Sequence, residues 1–287
     1  MRRRIILLVL IGLPLALIAT GAGAELSLST ARHLASGLWN IPDRLPALPT
    51  NGQVHYEPGA EGFAHDVEAL LPSAIARVEA AHGRPFAHPV TLGVYATPEA
   101  YAAANGQGSA APIGATYLGR VTLSPKLSGD QRQRLPAILT HELSHAHLQG
   151  WISGIANLRL PNWFKEGLAV MVSEGGGAEQ VSEAEARTAI RRGEQIVIDD
   201  GGSLQSLVGV PLERTPANKA AWYPVVLAYR EAGMFVTYLR DRDRPAFDRM
   251  IAAILDGRAF AEAVSVGYHD DARSLWRNFL KSISDQK

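Results

Sequence analysis

The stretch Thr140-His141-Glu142-Leu143-Ser144-His145 restricts this chain more than any other feature of its sequence. On an α-helix, residues four apart are separated by roughly 40° around the axis, so His141 and His145 project from one face. Two neutral imidazoles so placed can grip one metal ion, and zinc is the usual occupant of such a pair. Glu142 lies between them, within reach of a water at the metal without binding the metal itself. Zinc lowers the pKa of a water it holds to about 7, and a neighbouring carboxylate can take the proton as that water attacks a carbonyl. The chemistry implied is metal-assisted hydrolysis. Two solvated histidines on a surface helix would show the same spacing. The flanks Ile138, Leu139, Leu143 and Leu148 instead predict a helix packed inside a domain. Pro136 suits its first turn and Gly150 its end. His147 stands about 200° round from His145 and is expected to face away from the metal, as a structural residue.

Further on, Asn162-Trp163-Phe164-Lys165-Glu166-Gly167-Leu168-Ala169 opens a second apolar helix, with Asn162 as N-cap and three glycines after Glu174 as its stop. It contributes one carboxylate, Glu166. Two His and one Glu, with the fourth position left to water, form a known catalytic zinc set.

HELSH followed by LPNWFKEGLAVMVSE resembles the gluzincin branch of the HExxH metallopeptidases, the peptidase MA-like proteins. The likeness is concentrated in residues 136–174 and extends loosely from Val54 to Leu280. It implies that His141, His145 and Glu166 hold one zinc ion (Zn2+) and that Glu142 is the general base. It also implies an edge strand beside the zinc helix that pairs with extended substrate, expected here at Val121 to Ser124. An oxyanion donor is implied from the downstream lobe, with Tyr229 the first match and Tyr223 the second. One departure stands out. Where some relatives carry an acidic partner one turn beyond the third ligand, this chain has Val170, so a backbone carbonyl or another group is expected to take the second N–H of a ligand histidine.

The surrounding chain reads as a frame for these helices. Met1-Arg2-Arg3-Arg4, the apolar run from Ile5 to Ala19 and Ala22-Gly23-Ala24 predict a secretory signal peptide over residues 1–24; the alternative is an uncleaved membrane tether through 5–19. Either way the protein is expected to be exported, periplasmic or secreted. Without residues 1–24 the chain has 25 basic against 28 acidic residues, which gives no reason to expect a nucleic acid as partner. The absence of Cys excludes disulfides and thiol catalysis. Residues 25–52 read as a loosely attached arm with Pro42, Pro46 and Pro49, and the domain is expected over 53–287.

Within that domain, residues 53–177 predict a lobe of strands and helices that includes the zinc helices. Strands are expected near Val54–Tyr56, His88–Tyr95 and Arg120–Ser124, helices over Glu61–His82 and Pro98–Ala104, and a Gly/Ala-rich loop over 105–119. Residues 178–287 predict a mainly helical lobe. The fold class expected is α+β, and the leading function is a zinc metallopeptidase acting on a peptide or protein substrate. The alternative is a catalytically idle zinc-containing envelope protein that binds a partner through the same cleft.

Overall fold

The computed structural model describes residues 28–196, 198 and 216–285. The leader expected over 1–24 lies outside them, as do residues 199–215 of the expected helical lobe. Helix α1 (Leu28–Trp39) comes first, then strands β1 (Ala47–Leu48) and β2 (Asn51–Tyr56), paired antiparallel. Helix α2 (Glu61–His82) closes on Gly83, whose φ of 67° supplies the left-handed cap, and carries the chain over to β3 (Thr91–Val94), parallel to β2. Thr97 caps helix α3 (Pro98–Ala104) through the Ala100 amide. Strands β4 (Gly114–Tyr117) and β5 (Arg120–Leu123) then form a hairpin. The sheet order is β1-β2-β3-β5-β4.

After the sheet come α4 (Leu135–Trp151), the short α5 (Gly154–Arg159), α6 (Asn162–Val172) and α7 (Glu183–Arg191), the last opened by a capping box between Ser182 and Glu185. Helices α8 (Lys219–Arg242), α9 (Arg244–Leu255), α10 (Phe260–Tyr268) and α11 (Ala272–Asp285) complete the described chain. A small sheet on the N-terminal side and a helical C-terminal region make this the α+β fold expected. One apolar core runs through both: Val54, Leu92 and Val121 from the sheet meet Leu139 and Leu143 of α4, Phe164 and Leu168 of α6, and Phe235 of α8. Helix α4 therefore sits between the sheet and the helical lobe, buried nearly all round, polar residues included.

Three expectations are corrected. Val121 to Ser124 is not an edge: β5 lies between β3 and β4, and the side chains from Val121 to Ser124 are buried. The edge strand is β4, which falls inside the stretch read as a Gly/Ala-rich loop. Residues 28–52 are not loosely attached either. Ser36 Oγ donates to the Ala103 carbonyl at 2.9 Å, Tyr117 Oη donates to the Leu34 carbonyl at 3.1 Å, Arg120 pairs with Asp43, and β2 already begins at Asn51. The surface that receives α1 is assembled from residues 103–120, and composition alone does not reveal it.

Helices α6 and α8 approach closely because each places a glycine at their crossing. A Cβ on Gly167 would lie 2.6 Å from the Ala232 carbonyl oxygen, and one on Gly233 would lie 2.4 Å from Val170 Cγ1. Val170 therefore fills the space above Gly233. A carboxylate at that position would be pressed against a neighbouring backbone, so the apolar residue one turn beyond Glu166 follows from packing.

Candidate metal centre

Helix α4 turns His141 and His145 towards α6, which presents Glu166 to them. The three acceptor atoms are close together. His145 Nε2 is 3.2 Å from His141 Nε2, and Glu166 Oε2 is 3.3 Å from His141 Nε2 and 3.5 Å from His145 Nε2. For a tetrahedral ion with bonds of about 2.0–2.1 Å, two ligand atoms stand about 3.3–3.4 Å apart, so this triangle has the size such an ion requires. Among the described residues, these three form the one group of His, Cys, Asp or Glu side chains able to hold a metal ion. The donor set, two imidazoles and a carboxylate, fits zinc chemistry as well as the spacing does.

The orientation of His141 is fixed from behind. Its Nδ1 lies 2.9 Å from the Gly176 carbonyl, and a carbonyl can only accept, so Nδ1 carries the proton and Nε2 of the neutral ring presents a lone pair to the triangle. The chain reaches that carbonyl through a tight turn after α6, where Glu174, Gly175 and Gly177 have φ of 55°, 105° and 86°. Arg230 of α8 holds the turn, donating to the Val181 and Ala178 carbonyls at 2.7 and 3.0 Å. The glycines read as a helix stop thus also deliver the acceptor expected from the backbone. Asn162 is the first residue of α6 rather than its N-cap, which is Pro161.

The charges in the triangle are coupled. Burial acts to raise the pKa of Glu166, but the charge of His145 and hydrogen bonds from both imidazoles overcome it and hold the carboxyl well below the ordinary range. Burial acts to lower the pKa of His141, yet the hydrogen bond and charge of Glu166 raise it. A negative oxygen with two ring nitrogens facing it calls for a positive charge at the centre, whether a proton or a metal ion.

Glu142 stays out of the triangle. It is buried against β4, where Thr116 Oγ1 approaches its Oε2 at 2.8 Å and its main-chain oxygen at 2.9 Å. Gly114 makes the approach possible, since a Cβ there would lie 2.8 Å from Glu142 Cγ and 2.9 Å from Ile138 Cγ2. Neither Gly114 nor Thr116 stands out in the sequence, because their importance depends on a strand pairing that places them over α4.

His147 faces the opposite side of α4, as its position on the helical wheel predicts, and is fully buried. Tyr229 is half-buried on α8. It lies about 40° from Gly233 and 20° from Val236 around the helix, on the stripe that meets α6 and one turn from the crossing. Tyr223 lies further towards the start of α8, against Trp222 and Lys219. No family model, curated protein or solved structure matches this chain.

Proposed function

We propose that the chain is a zinc-dependent hydrolase of the gluzincin type that cleaves peptide bonds in a peptide or protein substrate. The observation that carries this reading is the triangle of His141, His145 and Glu166, with a further carboxylate, Glu142, held beside it and not in it. A structural metal site needs no such bystander and is normally closed by four protein ligands. A zinc ion bound by the three residues would supply Lewis acidity towards a carbonyl and an acidified water.

The chain's own groups account for the remaining steps. Glu142 takes the proton of the attacking water and returns it to the leaving amine. Gly176 keeps the His141 ring from turning, through its Nδ1–H. The outer edge of β4 offers backbone donors and acceptors to an extended substrate directly above Glu142, the role the sequence suggested for β5. Tyr229 is proposed to steady the oxyanion. The lack of an acid at Val170 would favour an idle binding protein if it weakened the site, but packing against Gly233 explains that residue without reference to activity.

The test is cleavage of a broad peptide library by the wild-type chain and Glu142→Gln, each with a chelator control. The proposal expects wild-type cleavage that the chelator abolishes and that Glu142→Gln lowers by about 10²–10⁴-fold, with metal content unchanged. Equal cleavage by both proteins, or none by the wild type, would count against it.

A further inference from the structure

The β4–β5 hairpin is tied to helix α4 at two points. Thr116 meets Glu142, and three residues on, the Gly119 amide donates to Gln149 Oε1 at 2.7 Å. Gly119 belongs to the tight turn between β4 and β5, where Leu118 and Gly119 have φ of 51° and 75°, so the tip of the hairpin is tied to α4 as well as its strand. The far side of the strand is fixed too: Thr116 pairs with Val121 on β5, and Thr122 Oγ1 donates to the Ala115 carbonyl at 3.1 Å. The height of Thr116 over α4 is therefore set from three directions.

Side chains alternate along a strand, so Gly114 and Thr116 both face α4 while Tyr117 turns away towards α1. Gly114 leaves room for the Glu142 carboxylate, and Thr116 supplies the hydroxyl beside it. That hydroxyl has one proton and two acceptors in reach, at 2.8 and 2.9 Å. The ionised carboxylate is the stronger acceptor, and the main-chain oxygen already belongs to the helix ladder. Threonine is branched at Cβ and stiff in χ1, so its hydroxyl moves only with the strand.

We propose that Thr116 is a positioning residue for Glu142, pinning Oε2 so that the carboxylate presents Oε1 at a fixed height beneath the substrate edge of β4. This rests on the assignment of Glu142 as the base. It goes further by making the strand that receives substrate the same element that aims the proton acceptor. A substrate that shifts β4 would then shift Glu142 with it.

The test compares Thr116→Val, which keeps the shape and removes the hydroxyl, with Thr116→Ser, which keeps the hydroxyl, using Glu142→Gln as reference. Thr116→Val should retain its zinc content and KM and lose about tenfold in kcat, a fraction of what complete loss of a general base costs, and Thr116→Ser should recover most of that loss. Crystal structures of both variants provide a readout independent of turnover: the Glu142 carboxylate should leave its place in Thr116→Val and keep it in Thr116→Ser. Unchanged or increased kcat in Thr116→Val, while Glu142→Gln is impaired, would overturn the proposal and leave the assignment of Glu142 standing. If the wild type and Glu142→Gln do not differ, that assignment falls. The crystal structures then decide about Thr116: a displaced carboxylate supports positioning, and an unmoved one overturns it.

Discussion

His141 and His145 meet Glu166 on one side of α4, and His147 with Ser144 meets His82 of α2 on the other. Both clusters are compact arrangements of two imidazoles against the same helix, but their hydrogen bonding differs. Behind the helix every polar atom finds a complement. His147 Nε2 must donate to the Arg84 carbonyl at 2.9 Å, its Nδ1 then accepts from His82 Nδ1 at 2.9 Å, and His82 Nε2 accepts from Ser144 Oγ at 3.1 Å. One assignment of protons satisfies the whole chain with both rings neutral. In front, once Nδ1 of His141 is committed to Gly176, its Nε2 lone pair and the Glu166 carboxylate oxygen face His145 Nε2 and each other across 3.2–3.5 Å, and the single N–H of a neutral His145 can satisfy only one of them. A surplus of acceptors around one point marks a place for a cation, and a balanced chain of donors and acceptors marks a structural pair. Counting histidines would not separate the two.

Substitutions should separate them. The largest effect is expected in front, where Glu142→Gln lowers cleavage by about 10²–10⁴-fold with zinc content unchanged, as measured by peptide turnover and elemental analysis. Next is metal removal. Zinc at a hundred times its dissociation constant should stabilise the chain by about 2.7 kcal/mol over the chelated protein, read from urea denaturation. Glu166→Ala should abolish that increment, and His82→Leu should leave it intact.

Behind the helix the expected change is in stability alone. His82→Leu leaves the Ser144 hydroxyl and His147 Nδ1 without their partner, at a cost of about 1–3 kcal/mol in the chelated protein. A pH dependence follows from the same pair. Burial holds His82 well below its ordinary value, with the charges of His147 and His145 adding to the effect, and burial lowers His147 as well. The unfolded chain takes up these protons near pH 6.5 and the folded chain resists, so this contribution is complete above about pH 6.5 and declines as pH falls. The decline reaches up to ~1.4 kcal/mol per pH unit for each histidine. Urea midpoints of the metal-free protein between pH 6.5 and 5 should therefore fall more steeply for wild type than for His82→Leu.

A last effect has the opposite sign. Glu231 is fully buried in α8, with Oε1 unpartnered and Oε2 accepting from the Ile196 amide at 2.7 Å. Burial raises its carboxyl to about 7, so its contribution is present below the ordinary carboxylate value and is lost as pH rises through about 7. Glu231→Gln should gain stability relative to wild type above pH 7, measured by the same midpoints.

The sequence revealed what local periodicity can encode. The Glu61–His82 and Pro98–Ala104 helices stand at the limits their apolar spacing and terminal signals predict, α4 and α6 differ only at their ends, and the described part of residues 178–287 is mainly helical as expected. His141, His145 and Glu166 were legible because their spacing on two helices carries its own geometry. What stayed hidden depends on contacts between distant segments. Four residues of β4 in a Gly- and Ala-rich stretch show no clear alternation, and only pairing with β5 makes them a strand. Gly114 and Thr116 acquire meaning from that pairing. Gly176 acts through its carbonyl, which no side-chain pattern records. The docking of α1 depends on a surface built from residues it precedes in the chain.

The most direct test of the three-ligand centre is an anomalous-difference map, recorded at the zinc edge, from crystals of the wild-type chain loaded with one equivalent of zinc. A single peak is expected within about 2.0–2.2 Å of His141 Nε2, His145 Nε2 and a Glu166 carboxylate oxygen. A map with no peak between these three atoms, or with the zinc bound elsewhere and Glu166 turned away, would contradict the account.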